Sequence, residues 1–165
     1  MFDSRKKGFE SRVCYNAILT CPFGIHSSLD GIPTYRVVFL NSEAANTNGE
    51  TITDNGSVGN SNTTGATTVA AGITIDGSSA DAYSDLTFLP GVNQDLNVSV
   101  TILGTTALEV EAGEVVAVGE AIEVNTVGQA VAAGGTGTAT GFVALSGATG
   151  AGTADNPEFI VALVK

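Results

Sequence analysis

The run Asn97-Val98-Ser99-Val100-Thr101-Ile102-Leu103 decides the fold class, because polar and apolar residues alternate strictly over its first six positions. A period of two places every second side chain on the same side of an extended backbone. Its valines, threonine and isoleucine are β-branched, which also favours a strand. The run therefore predicts a strand that is buried on one face.

Similar short runs continue on both sides of this segment. Toward the N-terminus, strands are predicted at 35–40 and 66–75. Toward the C-terminus they are predicted around Leu108 and Val110 and at 115–118, 121–124, 129–132, 138–145 and 159–164, with glycine-containing breaks between most of them. No helix-length stretch shows a 3.6-residue period. We expect an all-β protein, a compact antiparallel β-sandwich or barrel, with an extended N-terminal arm.

The apolar positions of these runs predict the core. The predicted core residues are Val98, Val100, Ile102, Leu108, Val110, Val116, Ile122, Val124, Val131, Phe142, Val143, Leu145, Ile160 and Leu163.

Charge divides the 165-residue chain, whose formal net charge is −11, into two parts. Residues 1–36 hold five of the six bases and three acids, whereas residues 37–164 hold 14 acids and no base. We therefore predict an arm at 1–36 and an acidic β domain at 37–165, with a polar loop insertion at 41–65 and the densest strands at 97–165. A surface of one sign repels nucleic acid and keeps a protein soluble, and solubility alone would also explain it.

The arm combines basic residues with scattered apolar ones, and Pro22 and Pro33 argue against one long helix. It is predicted to lie on the body or on another chain, although an ordinary first strand or a disordered tail fits its composition equally well. The residues expected to contact a partner are Arg5, Lys6, Lys7, Phe9, Arg12, Val13, Ile18, Leu19 and Phe23.

The sequence offers little for catalysis or cofactor binding. His26 is the only histidine, and Cys14 and Cys21 with one histidine do not complete a zinc site. The glycine-rich run at 134–141 lacks the P-loop ending and fits a turn between strands better. Asp76 and its acidic neighbours do not follow an EF-hand pattern. We predict no enzyme activity, no metal, no cofactor and no small-molecule substrate.

Membrane and export signals are also lacking in the sequence. No apolar stretch is long enough to span a bilayer, and the first ten residues do not read as a signal peptide. We expect no membrane partner.

The segment Val110 to Lys165 resembles the β-rich head decoration and capsid cement proteins of tailed bacteriophages. The resemblance lies in Ala112-Gly113-Glu114-Val115-Val116, in 118–124 and 128–132, in Thr140-Gly141-Phe142-Val143-Ala144-Leu145, and in the last strand, Phe159-Ile160-Val161-Ala162-Leu163. It covers about a third of the chain and excludes the arm and the insertion at 41–65.

This resemblance implies a structural virion protein that is made in the host cytoplasm and binds the outer capsid surface. It implies the major capsid protein as partner and a homotrimer as assembly, which the abundance of small residues in the strands also favours. The alternative is a phage fibre or bacterial surface module that binds carbohydrate or another surface. Such a module is expected to display Trp or Tyr platforms, and this chain has no Trp and three Tyr.

Overall fold

The computed structural model describes residues 19–25, 32–42, 57–76 and 97–165. These residues contain strands and no helix, so the predicted all-β class is confirmed. In the same ranges, no helix has the length and apolarity needed to cross a membrane. The strands are β1 (Leu19–Ile25), β2 (Val37–Asn41), β3 (Ser57–Gly59), β4 (Ala66–Asp76), β5 (Asn97–Glu109), β6 (Val115–Val116), β7 (Ala121–Val124), β8 (Ala130–Val131), β9 (Thr138–Ala144), β10 (Ala148–Thr149) and β11 (Phe159–Val164).

Nine strands form one sheet in the order β1-β3-β2-β4-β5-β11-β9-β7-β8, and β10 pairs separately with β6. Neighbours are antiparallel except β1 and β3. Because β1 also pairs with β5, the strands β1, β3, β2, β4 and β5 follow one another in a cycle. At the other end, a single bridge joins Ala130 to Val110. The nine strands of this sheet do not close into one barrel.

Strand β5 is shared by two hydrophobic cores. Its first half packs Val98 and Val100 into a small core with Ile32, Val38 and Val58. Its second half supplies Leu108 to a larger core. Gly104, with a φ of 113°, lies between the two halves. Such a backbone conformation is open mainly to glycine, and Gly104 lies where β5 changes from pairing with β1 to pairing with β11.

Most of the predicted core is confirmed. The buried residues are Val98, Val100, Leu108, Val110, Val116, Ile122, Val124, Phe142 and Ile160, and the half-buried ones are Ile102, Val131, Val143 and Leu163. The prediction for Leu145 is wrong, because 45% of its surface is exposed. The neighbouring Ala144 occupies the inward position, and a strand has room for only every second residue on its inner face.

Part of the predicted arm lies in the sheet. Residues 19–25 form β1, which pairs with β5 and β3, so the interpretation as an ordinary strand holds for this stretch. Ile32 is buried in the small core. The insertion predicted at 41–65 contains β3, which pairs with β2, and the turn that leads into β4. Residues 1–18, 26–31 and 43–56 lie outside the described residues.

Candidate protein-binding face

Strand β11 presents large apolar residues on both of its sides. Ile160, Ala162 and Val164 are buried in the larger core. The alternate residues Phe159 and Val161 are 45% and 43% exposed. An antiparallel strand with one solvated face ordinarily alternates apolar inward with polar outward, so apolar residues on both sides need a reason.

The neighbouring strands extend this apolar surface. Leu163 lies opposite Val143 of β9, and Val143 lies opposite Ala121 of β7. The Leu145 N–H donates a hydrogen bond to the Val161 carbonyl at 2.7 Å, which places Leu145 beside Val161. On the other side, Val161 lies opposite Ala107 and Leu163 opposite Thr105 of β5. We call this surface the outer face; its four most exposed large residues are Tyr35, Leu145, Phe159 and Val161.

Tyr35 reaches the outer face from the segment that leads into β2. Its ring meets that of Phe159 edge to face, with centroids 5.6 Å apart and planes at 80°. Its φ of 59° is uncommon for a non-glycine residue. Two backbone hydrogen bonds hold it there: the Tyr35 N–H donates to the Thr74 carbonyl at 2.7 Å, and the Glu109 N–H donates to the Tyr35 carbonyl at 3.1 Å.

The carboxylate at the edge of the outer face is neutralised. Glu109 lies opposite Phe159, and its Oε2 is 2.7 Å from Nη1 of Arg36, with both side chains largely buried. No hydrogen bond from Arg36 Nη1 has favourable geometry, so its contact with Glu109 is an ion pair. Gln129 Nε2 donates to Glu109 Oε1 at 2.7 Å, and Asn125 Nδ2 donates to Gln129 Oε1 at 3.0 Å. At this edge of the outer face the charges of Glu109 and Arg36 therefore cancel.

Other glutamates organise the glycine-rich turns. Glu114, Glu120 and Glu123 accept hydrogen bonds from three consecutive backbone N–H groups, those of residues 132, 133 and 134, at 2.9, 2.9 and 3.1 Å. Each carboxylate thus supplies a partner for an amide that the strand ladders leave unpaired. This use of the acidic residues was not predicted, because their partners are backbone groups 11 to 18 positions away.

Glu158 holds the loop before β11 in the same way. It accepts hydrogen bonds from the Thr149 hydroxyl and from the N–H groups of Thr149, Gly150 and Gly152, at 2.8 to 3.2 Å. The Thr149 hydroxyl and then the Thr149 N–H lower the pKa of Glu158, partial desolvation opposes them, and Gly152 and Gly150 add to the lowering. Hydrogen bonds to the charged form are the physical cause.

A groove of about 630 Å³ runs beside the turn between β8 and β9. Residues 131–138 line it together with Glu111 and Glu114, so the glycine-rich run contributes a turn, as predicted. The two carboxylates would repel an anionic ligand from this groove. Among the described residues, no group of three or more His, Cys, Asp or Glu is placed to hold a metal ion.

The predicted contact residues fall into two sets. Leu19 is 52% exposed and lies opposite Leu103, which is 47% exposed, so both are available for contact. Phe23 is half-buried against the small core and is engaged within the chain. The predicted contact residues Arg5, Lys6, Lys7, Phe9, Arg12, Val13 and Ile18 lie outside the described residues. The outer face was not among the predicted contacts.

No protein-family model matches this sequence, and no curated protein matches it. The resemblance to phage decoration proteins therefore stays a prediction.

Proposed function

We propose that this chain is a structural virion protein that binds the outer surface of a bacteriophage capsid and stabilises it as a decoration or cement protein. The observation that supports the proposal best is the apolar outer face on an acidic body. The described residues hold eight acids, Asp76 and seven from Glu109 onward, against the two bases Arg36 and Lys165. Contiguous exposed apolar surface on such a body is typical of a protein contact site.

The charge distribution suits a protein that coats a particle filled with DNA. An acidic body is repelled by nucleic acid, and it remains well solvated where no partner covers it. Contacts with other proteins would then concentrate on the outer face and on the N-terminal residues. The partner in this proposal is the major capsid protein.

The N-terminal residues are the proposed capsid contact. Residues 1–18 contain four bases, two acids and several apolar residues, and they join the body at Leu19. Basic side chains can be steered toward an acidic seam, while apolar ones supply buried area once the segment is bound. Because β1 begins at Leu19 and is paired on both sides, the contact segment is best tested as residues 1–18.

Stabilisation of the shell follows from mass action. A ligand that binds the assembled shell, and not the separated subunits, shifts the equilibrium toward the assembled state. Each copy that bridges a seam adds buried area to that seam.

The test is a deletion of residues 2–18, which stops before β1 and leaves both of its ladders intact. We expect the truncated chain to fold, by far-UV circular dichroism, and to lose at least about tenfold in affinity for empty heads of the major capsid protein encoded with it, measured by co-sedimentation. Replacing Arg5, Lys6, Lys7 and Arg12 by Ala should weaken binding less, and mainly at low salt, because exposed ion pairs contribute only about 0–1 kcal/mol each.

Two outcomes would contradict this proposal. Equal binding of the truncated and full chains would assign the contact to the body rather than to the N-terminal residues. A full chain that ignores the heads but binds members of a glycan panel would favour the surface-binding module instead.

A further inference from the structure

We infer that the outer face joins two copies of this chain, through the exposed side chains of Tyr35, Leu145, Phe159 and Val161. The inference does not rest on the proposed function, since self-association is a property of the isolated chain. It also assigns to a specific surface the association that the sequence predicted only in general.

The first argument is the placement of large and small residues. On the inner side, Ala162 lies opposite Ala144, and both are fully buried. On the outer side, Val161 and Leu145 lie next to each other and are almost half exposed. At this point of the sheet, the larger side chains of Val161 and Leu145 thus face outward. The smaller ones of Ala162 and Ala144 face the core. Within the described residues, the packing of the core does not use these two outward side chains.

The second argument is charge. Two copies of an acidic body repel each other, and the repulsion is weakest where they meet through a surface without net charge. The ion pair of Glu109 with Arg36 leaves the surface around Phe159 neutral, and the neighbouring positions on β11 and β5 are apolar or Thr105. At its margins, Glu123 lies on the same outward side of β7 as Ala121, and the exposed base Lys165 follows β11. A second copy offers the same neutral apolar centre, and the acid and the base at its margins cancel in charge. The face therefore fits a copy of itself better than an oppositely charged protein.

The third argument is shape and area. Ala107 and Ala121, on the strands that flank the large residues, leave shallow positions into which Phe159 or Leu145 of a second copy can fit. At exposures of 36% to 45%, the four large side chains offer roughly 300 Å² per copy. A patch of this size is typical of functional surfaces but is below the ~800 Å² per partner of a stable interface. The contact is therefore reversible and depends on concentration.

The test is sedimentation velocity of the full chain from micromolar to millimolar concentration, at low and high salt. The wild type should associate as its concentration rises, and more readily at high salt, because screening weakens the like-charge repulsion. Val161→Lys and Val161→Glu should each raise the concentration of half-association at least about tenfold. Lysine lowers the net negative charge, so a loss with both variants identifies the apolar contact rather than overall charge as the cause.

The matched control is Val69→Lys, which introduces the same charge at a position that is 55% exposed and lies on β4, a strand that contributes no residue to the outer face. It should associate as the wild type does. If Val161→Lys fails to fold by circular dichroism, Leu145→Lys takes its place, since Leu145 lies just beyond the end of β9. The inference is overturned if the wild type stays monomeric under all conditions, if the outer-face variants associate normally, or if the Val69 variant loses association equally.

Discussion

Gly128, in the turn after β7, lies directly against the start of β2. Its φ is 82°, and a Cβ atom built on it would lie 2.4 Å from the Val37 carbonyl oxygen. The Val37 N–H donates a hydrogen bond to the Gly128 carbonyl at 2.9 Å, so neither segment can move aside without losing this bond. Gly113 has a nearly identical φ of 85°, and a Cβ there would have no neighbour within 4 Å.

Substitutions at Gly113 and Gly128 therefore separate the cost of backbone strain from the cost of steric contact. Gly113→Ala should lower the free energy of unfolding by about 1–2 kcal/mol, the cost of a left-handed conformation for an L-residue. Gly128→Ala carries the same cost, a further ~1–3 kcal/mol for overpacking and ~1 kcal/mol for the weakened hydrogen bond, about 3–6 kcal/mol in total.

The assay is thermal unfolding by circular dichroism, at one low protein concentration so that self-association does not contribute. At roughly 2–4 °C per kcal/mol for a chain of this size, Tm should fall by about 2–8 °C for Gly113→Ala and by about 6–24 °C for Gly128→Ala. Equal Tm values for the two variants would show that the contact between Gly128 and Val37 does not constrain the fold, and would refute the reasoning.

Two further predictions concern Glu158 and the core assignment. Because the pKa of Glu158 is lowered from its ordinary value of 4.5, the stabilisation by its charged form is complete above that value and is lost as the pH falls through the lowered pKa. Glu158→Gln should therefore have a lower Tm than the wild type at neutral pH and a Tm close to that of the wild type in acid. The exposed control Asp155→Asn should not show this pH-dependent difference in Tm. A difference in Tm between Glu158→Gln and the wild type that does not change with pH would contradict the prediction. Ile160→Ala should cost about 2–5 kcal/mol in urea unfolding and Leu145→Ala under about 1 kcal/mol, and the reverse order would show that their inward and outward positions are exchanged.

The strands at the C-terminal end were predicted well because local pattern determines them. The predicted bounds of 121–124 and 159–164 agree with β7 and β11, since both are short apolar runs between turn residues. Strands β1 and β3 were not placed from the sequence. An ordinary first strand was left open beside the extended arm for the stretch that contains β1, and the three residues of β3 carry no pattern of their own. Both depend on partners far away in the sequence, and single-sequence periodicity contains no information about those partners.

The outer face could not be predicted, because it depends on which alternate residues of a continuous apolar run point away from the core. The run 159–164 is apolar at every position, so its pattern does not say which side faces the core. Volume would favour Val161 and Leu163 inward, yet Ile160, Ala162 and Val164 are the buried residues. The pairing with β5, which sets Leu108 opposite Ile160, decides the matter. The register of β11 against β5 thus determines which residues of the run 159–164 a partner can reach.

Which alternate residues point outward has an energetic consequence that links the fold to association. Roughly 300 Å² of apolar surface left in water corresponds to about 7 kcal/mol of burial free energy that the single chain does not realise. If a second copy covers the outer face, the two copies together gain up to about 14 kcal/mol, but association costs about 4–15 kcal/mol in lost translational and rotational freedom and ordering the side chains costs more, so one such contact between free chains is weak. Copies that are already held side by side on a surface do not bear this cost again, because their effective concentration is high. Under the proposed function, an outer face too small to hold two free chains tightly would therefore become effective on a shell, where the N-terminal residues would keep neighbouring copies within reach.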